Sequence, residues 1–156
     1  MDKILSEIIA SRNVLEKALQ NSGVTVSQQD VHLRYTHFFN THEGMARENL
    51  VGKTDADWLP AREAAKLTAI KQRALKGKHG VREMFKSTLV EGKNGEIFYN
   101  DIRVEPIIED DVVVGIYTIA IDITDFQTAL LKIEELNGRL LKHMEIQLED
   151  TPKPTN

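Results

Sequence analysis

The chain has 156 residues and a net charge of -4, from 20 basic and 24 acidic side chains. That is room for one domain of about 100 to 150 residues with helical extensions, and the mild, mixed charge argues against nucleic acid or an anionic membrane as partner. The absence of cysteine excludes disulfides, thiolate nucleophiles, thioether-linked haem and cysteine-ligated zinc or iron–sulfur clusters.

At the N-terminus Asp2, Lys3 and Glu7 interrupt the apolar residues, unlike a signal peptide, and no later segment approaches the ~18 uninterrupted apolar residues of a membrane span. A cytoplasmic protein with no membrane partner is expected. Ile4, Ile8, Leu15 and Ala18, widened by Leu5, Ile9 and Leu19, recur at a helical period, and Asn21-Ser22-Gly23 ends the helix. Residues 1–22 thus read as a flanking amphipathic helix.

Val24 to Ser27 and Leu33 to Asn40 read as two strands of a hairpin, with the polar Gln28-Gln29-Asp30 between them. From Thr41 to about Trp58 the pattern is one of short turns and broken helix. Pro60 suits the first turn of a helix, and Ala61 to Lys76 carries Ala64, Leu67, Ala74 and Leu75, with Ile70 on a related face, ending at Gly77. Val81 to Val90, Ile97 to Ile108 and Val112 to Ile123 read as three more strands, joined by Lys93-Asn94-Gly95 and Glu109-Asp110-Asp111. Asn-Gly is a tight-turn signal, so the strands on either side of it are expected to pair antiparallel.

The last strand passes straight into a helix that Thr124 and Gln127 open as a capping box. Phe126, Leu130, Ile133, Leu140 and Met144, with Asn137 in the remaining slot, step by fours and threes in a heptad seam. Such a stripe either packs on its own domain or pairs with a second helix; the polar Asn137 tips the balance to pairing, because an asparagine at a seam position specifies register and dimer state. The helix covers 126–148, and 149–156 form a polar tail.

The block from Val24 to Asp125 resembles a PAS sensor domain. The likeness rests on the strand ending at Asn40, Glu48-Asn49-Leu50-Val51-Gly52-Lys53, the long helix, Gly92-Lys93-Asn94-Gly95, Val104-Glu105-Pro106-Ile107 and Asp122-Ile123-Thr124. Leu33-Arg34-Tyr35-Thr36, Asn40-Thr41-His42-Glu43-Gly44 and Gly52-Lys53-Thr54-Asp55-Ala56-Asp57 look most like PAS domains of bacterial HWE-type sensor histidine kinases. Those kinases carry their phosphorylated histidine in a Glu-x-Asn-His-Arg stretch. Here Glu135-Leu136-Asn137-Gly138-Arg139 has glycine at that place: either the phosphoacceptor is missing or the match is chance within a charged helix.

The resemblance implies an α+β fold over 23–125, a five-stranded antiparallel sheet curved around a cavity, with short helices and one long helix on one face and a helix flanking each end. It implies that Phe98, Asn100, Ile102 and Val104, and Ile116, Thr118 and Ala120 on the next strand, face inward, with Leu67, Ile70 and His37 completing the candidate lining. Asn100 and Thr118 would be the polar handles of a small-molecule site; the alternative is that these residues simply fill the core. A flavin photoadduct is excluded, since LOV domains need a cysteine where Gly52-Lys53-Thr54-Asp55 stands, and Ala120 replaces their glutamine. Haem is disfavoured because Ala61 to Lys76 holds no histidine and His79 lies beyond Gly77. The cofactor is therefore left unspecified.

His32 and His79 read as solvated turn residues, His143 as outward on its helix, His37 as a hydrogen-bonded strand residue and His42 as a turn residue; no carboxylate or third histidine gives His37 and His42 metal-ligand spacing. Asp55 and Asp57, ahead of Pro60, read as helix caps rather than a catalytic pair. The inward positions offer no acid or base beside Asn100, so a non-catalytic module is expected. It would bind a small molecule or a partner and pass the change through Asp122, Ile123, Thr124 and Asp125 to the C-terminal helix. Ile4, Ile8, Leu15, Phe126, Leu130, Ile133, Asn137 and Leu140 would mediate a homodimer feeding a kinase-like output. The rival reading is a ligand-free structural adaptor.

Overall fold

Helix α1 (Asp2–Leu19) gives way to strand β1 (Val24–Asp30) through Asn21 and Gly23, whose φ angles of 63° and 72° supply the left-handed turn. The computed structural model describes residues 2–40, 49–88 and 97–149. Within them lie, in chain order, β2 (Tyr35–Phe39), one 3-10 turn (Asp55–Asp57), α2 (Ala61–Gly77), β3 (Val81–Ser87), β4 (Phe98–Glu109), β5 (Val112–Asp122) and α3 (Thr124–Glu149). The chain divides after Ile123 into two units, the second opening with α3.

The five strands form one antiparallel sheet in the order β2-β1-β5-β4-β3, the α+β architecture that the resemblance implies. The first hairpin differs from expectation. Gln28, Gln29 and Asp30 continue β1, and the turn falls over Val31 to Arg34, with Leu33 at φ 59°. Gln29 explains the longer strand: it is buried and its amide donates to the Leu33 carbonyl at 2.6 Å, closing the turn from inside.

Between Gln28–His37 and Gln29–Tyr35 the pairing slips by one residue, leaving Thr36 unpaired in a β-bulge. At the other end Asp110 and Asp111 take φ angles of 47° and 63° to join β4 to β5. Both are positive, the geometry that a two-residue hairpin requires and that aspartate tolerates.

Helix α2 ends on Gly77, and the left-handed residue beyond it is Lys78 at φ 54°, whose amide caps the Ala74 carbonyl. Its inner stripe, Ala64, Leu67, Ile70 and Ala74, packs with Phe85, Ile102, Val104 and Ile116 in the main core. A smaller cluster joins Tyr35, Phe38 and Leu50, and Trp58 packs against both. β3 ends at Ser87, before the expected Val90. The Lys93-Asn94-Gly95 turn, His42 with its neighbours from Thr41 to Glu48, and the polar tail from residue 150 lie outside the described residues. No helix among the described residues is long and apolar enough to cross a membrane.

Candidate functional site

Strand β1 alternates half-buried and buried residues, and the buried ones are Thr25, Ser27 and Gln29. Its inward face is therefore polar. Register sets Thr25 opposite Ala120 and Ser27 opposite Thr118, while β4 sets Ile102 opposite Ala120. These residues, with Asn100, Phe85 and Ser87, wall one side of a cavity of about 50 Å³; Leu67 and Lys71 of α2, with Leu59, Trp58, Tyr35 and Phe38, close the rest.

Of the sequence-derived candidates, Asn100, Ile102, Thr118, Ala120 and Leu67 meet at this cavity. Val104, Ile116 and Ile70 are buried in the main core, away from the lining. Phe98 opens β4 half-buried and is also not in the lining. His37 is exposed and cannot line the cavity: the bulge at Thr36 turns both Thr36 and His37 outward while Tyr35 and Phe38 point in. His79 is exposed beyond the end of α2, with Nδ1 2.9 Å from the Gly77 carbonyl.

The cavity wall also contains a charged cluster that sequence reasoning missed. Lys71 and Asp55 are each 1% exposed. The Lys71 ammonium donates to Asp55 Oδ1 at 2.6 Å, to Oδ2 at 2.8 Å and to the Tyr35 hydroxyl at 3.1 Å, while that hydroxyl donates to Asp55 Oδ1 at 2.5 Å. All three ammonium protons are thus used. Burial pulls the Lys71 ammonium below its ordinary value, with Asp55 pulling the other way; burial and then the Asp55 charge hold the Tyr35 phenol well above its own.

Two expectations are corrected here. Asp55 does not cap α2: it turns inward to Lys71, while its carbonyl accepts from Trp58 at 3.3 Å and Leu59 at 2.9 Å. Asp57 does not cap α2 either, whose N-cap is Pro60 with no side-chain bond; it closes a capping box on the 3-10 turn, its Oδ2 accepting from the Thr54 amide at 2.7 Å and hydroxyl at 2.9 Å. Nor is the cavity free of acids and bases, since Lys71 and Tyr35 line it together with Asn100. The signal for Lys71 lay in its spacing: it follows Leu67 by four and precedes Ala74 by three, a lysine in a core slot of an apolar stripe.

Three elements hold this cluster in place. Tyr35 is pinned by backbone bonds, its amide to the Lys53 carbonyl at 2.9 Å and its carbonyl from the Gly52 amide at 2.7 Å; Gly52, at φ 83°, turns that segment alongside β2. Thr118 is 7% exposed, and its Oγ1 finds no hydrogen-bond partner among the described residues.

On β5 the Asp122 amide donates to the Gly23 carbonyl and the Ile123 amide to the Tyr99 carbonyl, both at 2.8 Å, so the strand is held on both sides at its end. One residue later α3 begins. Phe126, Leu130, Ile133, Asn137 and Leu140 are exposed, as are Ile4, Ile8 and Leu15 on α1.

An antiparallel five-stranded sheet with a side-chain-lined cavity beneath one long helix defines an α+β fold. Residues 20–128 match the family model described as the PAS fold, and the chain belongs to that family. Over 127 residues it is 28% identical to probable histidine kinase 1 of Oryza sativa subsp. indica, a match covering 80% of this chain and 13% of that protein's length. A sensory box sensor histidine kinase from Vibrio cholerae superposes with a TM-score of 0.53 at 17% identity, over 76% of this chain and 97% of the other. VqmA of the same organism, solved in a ligand–DNA complex, gives a TM-score of 0.59 at 15% identity, over 72% and 52%. The chain is thus a PAS sensory domain with histidine kinase relatives.

Proposed function

We propose that this domain is the non-catalytic sensory module of a cytoplasmic signalling protein, taking a small molecule into the cavity and transmitting its effect through α3, as a dimer, to a kinase-like output. The observation that carries the reading is continuity along β5. Thr118 and Ala120 line the cavity, and the same strand reaches α3 four residues after Ala120. A ligand that repacks Thr118 acts on the strand whose end is clamped by Gly23 and Tyr99, so Asp122, Ile123, Thr124 and Asp125 form the relay. The ion cluster fits a binding role better than catalysis, because Lys71 and Asp55 already satisfy each other. The rice kinase supports the output, and the net charge of -4 supports a protein rather than a nucleic-acid partner.

The cavity volume favours a second reading. About 50 Å³ is well below the roughly 300–1,000 Å³ of most small-molecule sites, which suits an adaptor whose core is filled by its own side chains. A native mass spectrum of the freshly purified chain separates the two. A dimer carrying extra mass is expected; a bare dimer favours the adaptor, and a bare monomer overturns the paired-helix relay.

A further inference from the structure

We infer that the cavity selects an uncharged, hydrogen-bonding ligand of a few heavy atoms, anchored on the Thr118 hydroxyl; this rests on the ligand-sensing reading above. Charge is the first ground. Among the described residues, the ionic groups at the cavity are Lys71 and, in contact with it, Asp55; every ammonium proton has an acceptor and both carboxylate oxygens are engaged. An incoming carboxylate or ammonium would meet no unused counter-charge and would have to break this buried pair to find one.

The second ground is the remaining polar lining among the described residues, which is neutral: the hydroxyls of Thr25, Ser27, Ser87 and Thr118, the amide of Asn100 and the indole N–H of Trp58. Two of these groups, the Trp58 indole nitrogen and the Thr118 hydroxyl, have no hydrogen-bond partner among the described residues, and Thr118 is the more deeply buried residue. Its hydroxyl can both donate and accept, yet it is buried with no hydrogen-bond partner among the described residues, a state that costs free energy until something in the cavity bonds to it. Leu67 and Phe85 supply apolar contact for the rest of the molecule. The volume of about 50 Å³ confines the ligand to a compact amide, alcohol or small heterocycle.

The test titrates the full chain with acetamide, acetate and ethylammonium, which are similar in size and differ in charge, following the methyl resonances of Thr118 and Ala120. Acetamide is expected to bind at least tenfold more tightly than either ion. Thr118→Val should weaken it at least tenfold, read on Ala120, while leaving the ligand-free melting temperature equal or higher. Acetate or ethylammonium binding as well as acetamide would overturn the charge selection and leave ligand sensing standing. A Thr118→Val variant that melts lower and binds acetamide normally would overturn the anchor. If none of the three probes shifts either resonance, both this inference and the ligand-sensing reading fall.

Discussion

Replacing Lys71 with methionine should be among the most damaging single changes in this domain. It strips the Asp55 carboxylate of its counter-ion and leaves it, 1% exposed, with the Tyr35 hydroxyl as its one side-chain donor among the described residues. Removing one partner of a buried pair costs about 3–5 kcal/mol, against a total stability of about 5–15 kcal/mol for a domain. At about 4–8 °C per kcal/mol for a domain near 100 residues, the melting temperature falls by roughly 12–40 °C. Replacing both, with Lys71→Met and Asp55→Leu, removes the stranded charge and should return stability to the wild-type value or about 1–4 kcal/mol above it. Urea unfolding followed by fluorescence of Trp58, the sole tryptophan and 6.3 Å from the Tyr35 ring, reads all four corners of the cycle. A Lys71→Met loss below about 1 kcal/mol, or a double variant that loses the sum of the singles, would refute the coupling.

Asp57 is held below its ordinary value of 3.8 by hydrogen bonds from the Thr54 amide and then the hydroxyl. A depressed carboxylate contributes stability above pH 3.8 that disappears as the pH falls through its folded value, so the gap between wild type and Asp57→Asn should close in acid melts below that pH. A β-carbon at Gly115 would sit 2.4 Å from the Gln29 carbonyl oxygen, forcing β1 from β5; Gly115→Ala should cost about 1–3 kcal/mol in urea unfolding, and a loss under about 0.5 kcal/mol would contradict the close approach. Leu140→Asp, in the proposed seam, should shift the sedimenting species from dimer to monomer, and an unchanged mass would remove Leu140 from the interface. Thr124→Ala with Asp125→Ala should blunt regulation in a protein that carries this domain with its output; full regulation would place the relay elsewhere.

The elements legible from sequence are those whose pattern and burial agree. The stripe of α2 from Ala64 to Ala74 follows from apolar periodicity, because apolar side chains fill most of its slots, whereas strand alternation only groups Ile102 with Val104 and Ile116 with Thr118, and the resemblance supplied which face turns inward. Where polar side chains occupy core slots the pattern inverts: Val24 and Val26 of β1 are half-buried, and Thr25, Ser27 and Gln29 are the buried ones. Lys71 and Asp55 were hidden for the same reason: Asp55 reads as a helix cap and Lys71 gives no apolar signal until the two are placed within 2.6 Å across 16 residues of sequence. His37 was misplaced by a different effect, since a two-residue alternation carries no sign of where a strand holds an extra residue.

That extra residue gives the second strand an unusual sensitivity to length. Tyr35 and Phe38 both face inward, with ring centroids 5.1 Å apart, although their odd separation would put them on opposite sides of a regular strand. Thr36 acts as a spacer, so its side chain should be widely replaceable. Its removal should not be tolerated: losing one residue would carry either the phenol that steadies Asp55 or the ring that closes the cavity out into solvent. Among homologues, β2 should therefore vary freely in composition while holding a fixed count of residues between its two inward rings.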